Sequence, residues 1–83
     1  NGFTLIGPHP GVTTVRLRWS SSWRVTAGEA CLAEAPGGWT NVVSFQAGET
    51  KVSAQLSLGD NDQCTDEQLA EAGAPKPPSH PFP

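Results

Sequence analysis

The sequence predicts an all-β fold: a small antiparallel β-sandwich or open barrel of five or six strands. Apolar and polar residues alternate over short segments, and clusters of Gly, Pro, Ser and Asp separate these segments at intervals of about ten residues. The chain has 83 residues, of which 36% are apolar, 9 are Gly and 8 are Pro, so it can build only one small core. One disulfide, a short C-terminal helix and a Pro-rich tail complete the predicted fold.

Three extended segments are predicted in the first part of the chain. A strand over 3–6 ends at a Gly-Pro-His-Pro-Gly run. In a second strand over 13–19, the odd-numbered residues are expected to face the core. The even-numbered residues, which include Arg16 and Arg18, are expected to face solvent. Three serines then interrupt the pattern before an extended segment over 23–25.

The next three strands are separated by turns predicted at 26–29, 36–38 and 47–50. These strands, with the residues expected to face the core, are 31–33 (Cys31, Ala33), 39–45 (Trp39, Val43, Phe45) and 52–58 (Val52, Ala54, Leu56, Leu58). The last of them has the cleanest alternation in the chain, whereas Asn41 is a polar exception on its strand.

The character of the sequence changes after the last strand. Thr65 and Gln68 have the spacing of a capping box, which predicts a helix over 66–72 with a glycine as its stop. A helix of two turns is not stable alone, so it must dock on the sheets. We therefore expect a β-domain with a docked helix over 1–72 and a flexible Pro-rich tail over 73–83.

Cys31 and Cys64 are the only cysteines. In a chain this small they indicate one disulfide and an oxidising, extracytoplasmic compartment; two buried thiols or half of a zinc site are the alternatives. A disulfide closing this loop contributes roughly 3–4 kcal/mol to stability in the chain-entropy model. The chain begins without Met and has no signal peptide, and we expect a piece of a longer protein rather than a mature secreted product.

The charge pattern narrows the classes of partner. The net charge is −3, which argues against nucleic acid as a ligand, and no apolar run approaches the roughly 18 residues of a membrane span. Residues 1–28 contain three arginines and no acidic residue, whereas 29–83 contain two lysines and all eight acidic residues. This separation could orient the domain against a partner, but an ordinary solvated surface is the simpler explanation.

No constellation in the sequence predicts catalysis, a cofactor or a metal. His9 and His80 lie beside prolines outside the predicted sheet, where no third group holds a base in a pocket. Asp60 and Asp62, together with Asp66 and Glu67, could offer oxygen ligands to calcium, but Thr65 stands where an EF-hand loop needs glycine. We therefore expect no enzyme here.

Three tryptophans supply the candidate binding residues. Alternation places Trp19 and Trp39 with the apolar faces, so both are expected in the core. Trp23 follows three serines and precedes Arg24, which makes it the best candidate for an exposed aromatic residue, with a role as core filler left open. The predicted binding surface is centred on Trp23 and Arg24 and includes the exposed Arg16–Arg18 face.

A string of residues in the middle of the chain resembles a known family of domains. Residues 15–25 read Val-Arg-Leu-Arg-Trp-Ser-Ser-Ser-Trp-Arg-Val, followed by Gly28, Cys31, Gly-Trp-Thr at 38–40 and Ala-Gly-Glu at 47–49. This pattern is similar to the small extracytoplasmic β-domain near the end of large actinobacterial multi-spanning envelope proteins. Those proteins are related to C-type, lipid-sugar-dependent membrane glycosyltransferases.

The resemblance covers about residues 12–64, with Ser21 and Ser22 where the family carries a Pro-Tyr pair. It implies a non-catalytic accessory domain that contacts glycan or a protein partner, the membrane part of its own parent included. The parent's catalytic residues would lie elsewhere.

A second resemblance gives the alternative function. Residues 22–25 are similar to the Trp-Arg-Tyr loop of small secreted actinomycete inhibitors of α-amylase, although the tyrosine is missing and that family has more cysteines. It implies a free-standing binder or enzyme inhibitor that inserts residues 20–24 into a cleft of its partner. A structural spacer without a ligand is the third possibility.

Overall fold

A computed structural model describes residues 2–54 and 62–75 of the chain. Its elements are β1 (Gly2–Gly7), β2 (Gly11–Arg18), β3 (Trp23–Ala27), β4 (Ala30–Glu34), β5 (Trp39–Ser44), β6 (Gly48–Ala54) and α1 (Asp66–Ala72). The six strands described form two antiparallel sheets of three, in the orders β1-β6-β3 and β2-β5-β4. The prediction of a small antiparallel sandwich is confirmed.

The two sheets pack face to face around one hydrophobic cluster. Its buried members are Trp23, Leu32, Val42 and Val52. Half-buried residues surround them: Phe3, Leu5, Val15, Trp19, Val25 and Ala30. The Trp23 and Phe3 rings meet edge to face, with centroids 5.6 Å apart. Each strand of β1-β6-β3, the outer sheet, therefore turns one face to the core and the other to solvent.

Strands β4 and β5 are buried on both faces, whereas the edge strand β2 is mostly exposed. We call the sheet β2-β5-β4 the middle sheet. Its second face carries Cys31, Ala33 and Val43, which pack against Leu69 of α1. Consecutive residues such as Val42 and Val43 are therefore both buried. A strand covered on both sides reads as a continuous apolar run, which is why β5 lacks the alternation expected of a half-exposed strand.

Asn41, the polar exception of β5, is fully buried on the helix-facing side of the middle sheet. Its Oδ1 accepts a hydrogen bond from Thr14 Oγ1, and its Nδ2 donates to the carbonyl oxygen of Pro75 at 3.2 Å. Because a buried amide without partners is costly, these bonds explain how the position tolerates a polar residue. They also fix the start of the tail against β5.

The Cys31–Cys64 disulfide is present and closes one side of the sandwich, with the two Cα atoms 4.9 Å apart. Two backbone hydrogen bonds lie beside it: the Leu32 amide donates to the Asp62 carbonyl oxygen, and the Cys64 amide donates to the Leu32 carbonyl oxygen, both at 2.8 Å. The segment before α1 thus covers the outer edge of β4. The predicted disulfide is confirmed, and the residues described hold no free cysteine.

The helix over 66–72 is confirmed, together with its caps. Thr65 Oγ1 accepts from the Gln68 amide at 3.1 Å, and Gln68 Oε1 accepts from the Thr65 amide at 2.8 Å. Gly73 ends the helix in the left-handed conformation, with φ of 69°. Leu69, buried against the middle sheet, supplies the docking that so short a helix needs.

Several predicted side-chain directions are wrong. Beyond Val15 the alternation of β2 is broken by a register shift, so Leu17 is 38% exposed instead of buried. Thr13 is exposed because β2 lies at the edge of its sheet. Phe45 follows the end of β5 and is 43% exposed, and Ala54 is exposed at the end of β6.

Residues 55–58 of the predicted last strand, His80, Asp60 and most of the tail lie outside the described residues. The boundary between domain and tail at residue 73 therefore stays a prediction.

Candidate functional site

Two arginines and a tryptophan gather on the middle sheet, and we call them the arginine–tryptophan cluster: Arg16, Arg18 and Trp39. The guanidinium carbons of Arg16 and Arg18 lie 5.6 Å and 5.2 Å from the centroid of the Trp39 ring. Both arginines are exposed, and the indole is half-buried beneath them. Each contact at this range contributes about 0.5–1 kcal/mol at an exposed site.

An irregularity in β2 brings these side chains together. Val15 pairs with Thr40 and Arg18 pairs with Trp39, so two residues of β2, Arg16 and Leu17, lie between neighbouring pairs. Such a bulge bends the strand and re-aims its side chains. Here it directs both arginines to the same indole ring.

The turn before β5 leaves room for the cluster because it contains two glycines. Gly37 and Gly38 have backbone φ angles of 85° and 82°, which residues with a side chain rarely adopt. A Cβ on Gly38 would lie 2.9 Å from Arg18 Nη1, and a Cβ on Gly37 would lie 3.1 Å from Trp39 Nε1. Arg18 Nη1 also donates a long hydrogen bond of 3.4 Å to the Gly37 carbonyl oxygen.

The cluster contains hydrogen-bond donors but no acidic residue of its own. In residues 2–54 and 62–75 the ion pair present is Lys51–Glu49, at 3.9 Å on the outer sheet, and neither Arg16 nor Arg18 meets a carboxylate. Two exposed guanidinium groups therefore lie over one half-buried indole ring, and their chemistry suits an anion.

Trp23 is buried, so of the two roles that the sequence left open for it, exposed binding residue and core filler, the structure shows the core role. Its side chain is 9% exposed and belongs to the core between the sheets. Its Nε1 donates to the carbonyl oxygen of Arg18 at 3.0 Å. The serines before it form a turn, which is closed by a hydrogen bond of 3.2 Å from the Trp23 amide to the Ser20 carbonyl oxygen. β3 begins directly after this turn, with the Trp23 side chain facing the core.

Arg24 lies in β3 of the outer sheet, and its side chain is hydrogen-bonded to the loop that precedes this strand. Its Nη1 donates to the carbonyl oxygens of Ser21 at 2.6 Å and Trp23 at 2.9 Å. Its Nε is buried and has no hydrogen-bond partner among the residues that the structure describes. The predicted surface therefore divides: Arg16 and Arg18 belong to the cluster on the middle sheet, whereas Trp23 and Arg24 hold a loop of the other sheet in place.

Trp39 is the residue that the sequence-based site missed. It was expected in the core, but it is half-buried and its ring contacts the two arginines. Trp19 is also half-buried and packs against the core as expected. The signal for Trp39 was available: a Trp directly after a Gly-Gly turn enters a strand at its end, where the sheet no longer covers it fully.

Further candidates in the described part of the chain are two cavities and a histidine. A groove of about 300 Å³ between β5 and α1 is lined by apolar residues with Ser44, Gln68 and Glu71, and contains no histidine. His9 is exposed beside a smaller cavity of about 90 Å³. No group of three metal-ligating side chains occurs in residues 2–54 and 62–75.

Comparison of the chain with protein-family models, curated proteins and solved structures finds no match. Among the described residues, no helix has the length and apolar character needed to cross a membrane.

Proposed function

We propose that this protein is a non-catalytic, extracytoplasmic binding domain of a cell-envelope protein, which recognises anionic groups of a glycan or protein partner through the arginine–tryptophan cluster. One observation carries the proposal: Arg16 and Arg18 are exposed over one indole ring and have no carboxylate partner among the described residues. A cation held in place by an aromatic ring loses less side-chain freedom on binding than a solvated one.

The preferred ligand group is a carboxylate or a phosphate. A guanidinium binds either one through two parallel hydrogen bonds, and such charge-assisted bonds are stronger than neutral ones. The cluster also disfavours stacking of a neutral sugar on the Trp39 ring. Since the arginines already lie over the Trp39 ring, stacking of a neutral sugar on that ring would have to displace them, whereas an anion would not.

The compartment is proposed from the disulfide. Cys31 and Cys64 are bonded in a domain with a small core, and such bonds persist in oxidising environments. The resemblance of residues 12–64 to the extracytoplasmic domain of actinobacterial envelope proteins supports the same location.

The inhibitor alternative is not favoured by the geometry of residues 20–24. Insertion of this loop into a cleft would use Trp23, but that side chain belongs to the core and is bonded to Arg18 O. Removing it from the core would cost several kcal/mol, since a buried aromatic side chain contributes about 3–5 kcal/mol.

The proposal is tested by titrating ¹⁵N-labelled protein with anionic probes and their neutral counterparts. A short oligogalacturonate is compared with its methyl ester, and a short polyglutamate with polyglutamine. We expect the anionic probes to shift the Trp39 indole N–H and the Arg16 and Arg18 Nε–H resonances, with affinity falling as salt is raised.

Single substitutions locate the site. Arg16→Gln and Arg18→Gln are each expected to weaken binding by about 10–100-fold, the equivalent of one charge-assisted hydrogen bond of about 1.5–3 kcal/mol. Lys51→Gln is the matched control, because it removes one positive charge from the outer sheet. Equal weakening by all three variants would indicate a general effect of net charge and would contradict the proposal.

A further inference from the structure

The two sides of the sandwich differ in how their strand edges are covered. On one side, the segment before α1 pairs with β4, and the Asp62 carboxylate accepts a hydrogen bond from the Val25 amide of β3 at 2.7 Å. On the other side, β2 pairs with β5 only, and within the described residues no strand lies along its outer edge. β2 is an edge strand of eight residues, and an edge strand is a template for a further strand. At its end the carbonyl oxygens of Leu17 and Arg18 already accept hydrogen bonds from Thr40 Oγ1 and Trp23 Nε1, so the stretch open to a further strand is 12–15.

We propose that an extended acidic segment of a partner protein adds to the outer edge of β2 as a fourth strand of the middle sheet. This inference rests on the proposed function, because it takes the anion-binding cluster as the place where the segment's carboxylates are held. The backbone ladder would form along 12–15, where β2 is regular, and the carboxylates would lie beside Arg16 and Arg18.

The composition of β2 suits this role. Its residues are Gly-Val-Thr-Thr-Val-Arg-Leu-Arg, so its regular part has β-branched side chains, which favour strands. Side chains directly opposite each other on neighbouring strands approach to about 5 Å, within reach of a long arginine. Both guanidiniums lie within 5.6 Å of the centroid of one indole ring, so Arg16 and Arg18 hold their charges close together.

Charge complementarity selects an acidic segment over a second copy of this chain. β2 contains two arginines and no acidic residue, so a second β2 would bring only like charges to the new interface. Arginines on an edge strand in fact discourage such self-pairing. The other open edge, β1, contains no charged residue and is only six residues long, so it offers no comparable selectivity.

The ladder also distinguishes a polypeptide from an acidic glycan. A glycan can place carboxylates on the arginines, but it has no alternating backbone N–H and C=O groups to match those of β2. Binding of a polypeptide should therefore depend on the peptide's amide groups as well as on its charges.

The test uses the full 83-residue chain and a synthetic peptide with a Thr/Val-rich half and a Glu-rich half. Two further peptides have the same sequence but are N-methylated at every second residue, one in each of the two registers. N-methylation removes backbone donors while leaving every carboxylate in place. Affinities are measured by titration, and hydrogen exchange is followed at the amides of 12–15.

We expect the unmodified peptide to bind and to slow exchange of at least one amide in 12–15. N-methylation in one register should weaken binding at least about tenfold, the loss of one or more ladder hydrogen bonds. The other register should have a smaller effect. Arg18→Gln should weaken the unmodified peptide by a similar factor, and Lys51→Gln should not.

Other outcomes separate this inference from the proposed function. Equal binding of all three peptides, abolished by Arg18→Gln, would overturn strand addition and leave anion binding standing. Binding of oligogalacturonate without binding of any peptide would do the same and would make a glycan the ligand. If no anionic probe binds, both proposals are wrong. A doubled molecular mass in solution, with β2 amides protected in the absence of peptide, would show that a second copy occupies the edge instead.

Discussion

Two regions of this domain contain the same residue types and use them in opposite ways. Around Trp23 the indole is buried between the sheets, and the neighbouring Arg24 donates its hydrogen bonds to its own loop. Around Trp39 the indole is half-buried at the end of β5, and two arginines lie over it with their charges unpaired among the described residues. The comparison teaches that a Trp-Arg pair in sequence identifies neither a core nor a binding site until the position of each strand in its sheet is known.

The two regions are nevertheless linked by one hydrogen bond. Trp23 Nε1 donates to the carbonyl oxygen of Arg18, the residue that carries half of the cluster's charge. The buried tryptophan therefore holds the backbone from which the exposed arginine projects. The proposed anion binding by Arg18 should therefore depend on the core packing beneath it, and this dependence can be measured.

The largest expected contrast is between two tryptophan substitutions. Trp23→Ala should lower the free energy of unfolding by about 3–5 kcal/mol, because it empties the centre of the core and leaves Arg18 O without its donor. Trp39→Ala should lower it by only about 1–2 kcal/mol, since it removes a half-buried ring and two cation–π contacts. Chemical denaturation of both variants measures the difference.

For anion affinity, the variant that matters more should be Trp39→Ala, although it is the less destabilised of the two. Trp39→Ala is expected to weaken binding of a short polyglutamate, because the arginines lose the surface that orders them. If Trp23→Ala produces the smaller loss of stability, the assignment of the two tryptophans is wrong. Residual binding by Trp23→Ala is measured below its denaturation midpoint, where the folded fraction is known.

The sequence located most of the elements, although residues 48–50 of the turn predicted at 47–50 belong to β6, and it did not predict this contrast. Alternation located the strands, and the capping box located the helix at Asp66–Ala72, because both signals depend on residues close together in the chain. The fate of Trp39 depends on Arg16 and Arg18, which come from a strand at the other end of a long connection. Only the sheet order β2-β5-β4 makes that pairing visible.

Some predictions of which side chains face the core were wrong, for related physical reasons. An alternating pattern gives the two faces of a strand, but a bulge resets the phase, as it does between Val15 and Arg18. Burial of β5 on both faces removes the alternation altogether, so Asn41 and Val42 are both inaccessible. The open edge of β2 could not be inferred from its sequence either, since edge position is a property of the topology.

A smaller effect should come from the turn that precedes Trp39. Gly38→Ala introduces a side chain at φ of 82° and within 2.9 Å of Arg18 Nη1, so it should cost about 1–2 kcal/mol of stability and weaken anion binding. Gly48→Ala is the matched control: its φ is 120°, but no atom lies within 4 Å of the added Cβ. It should reduce stability without changing affinity, as measured by denaturation and by polyglutamate titration.

If the two glycine variants weaken binding equally, the loss reflects general destabilisation, and the contact between Gly38 and Arg18 has no part in shaping the cluster. A loss confined to Gly38→Ala would show that the turn sets the position of the guanidinium.

The smallest expected effect distinguishes the two kinds of arginine. Arg24→Gln removes hydrogen bonds to the carbonyl oxygens of Ser21 and Trp23, and should lower the free energy of unfolding by about 0.5–1.5 kcal/mol while leaving anion affinity unchanged. Arg18→Gln should have the reverse profile, with little loss of stability and a clear loss of affinity. Polyglutamate titration and urea denaturation of both variants measure the two quantities side by side. Weakened binding in Arg24→Gln at unchanged stability would mean that Arg24 leaves its loop to meet the ligand, and the binding surface would then extend across both sheets.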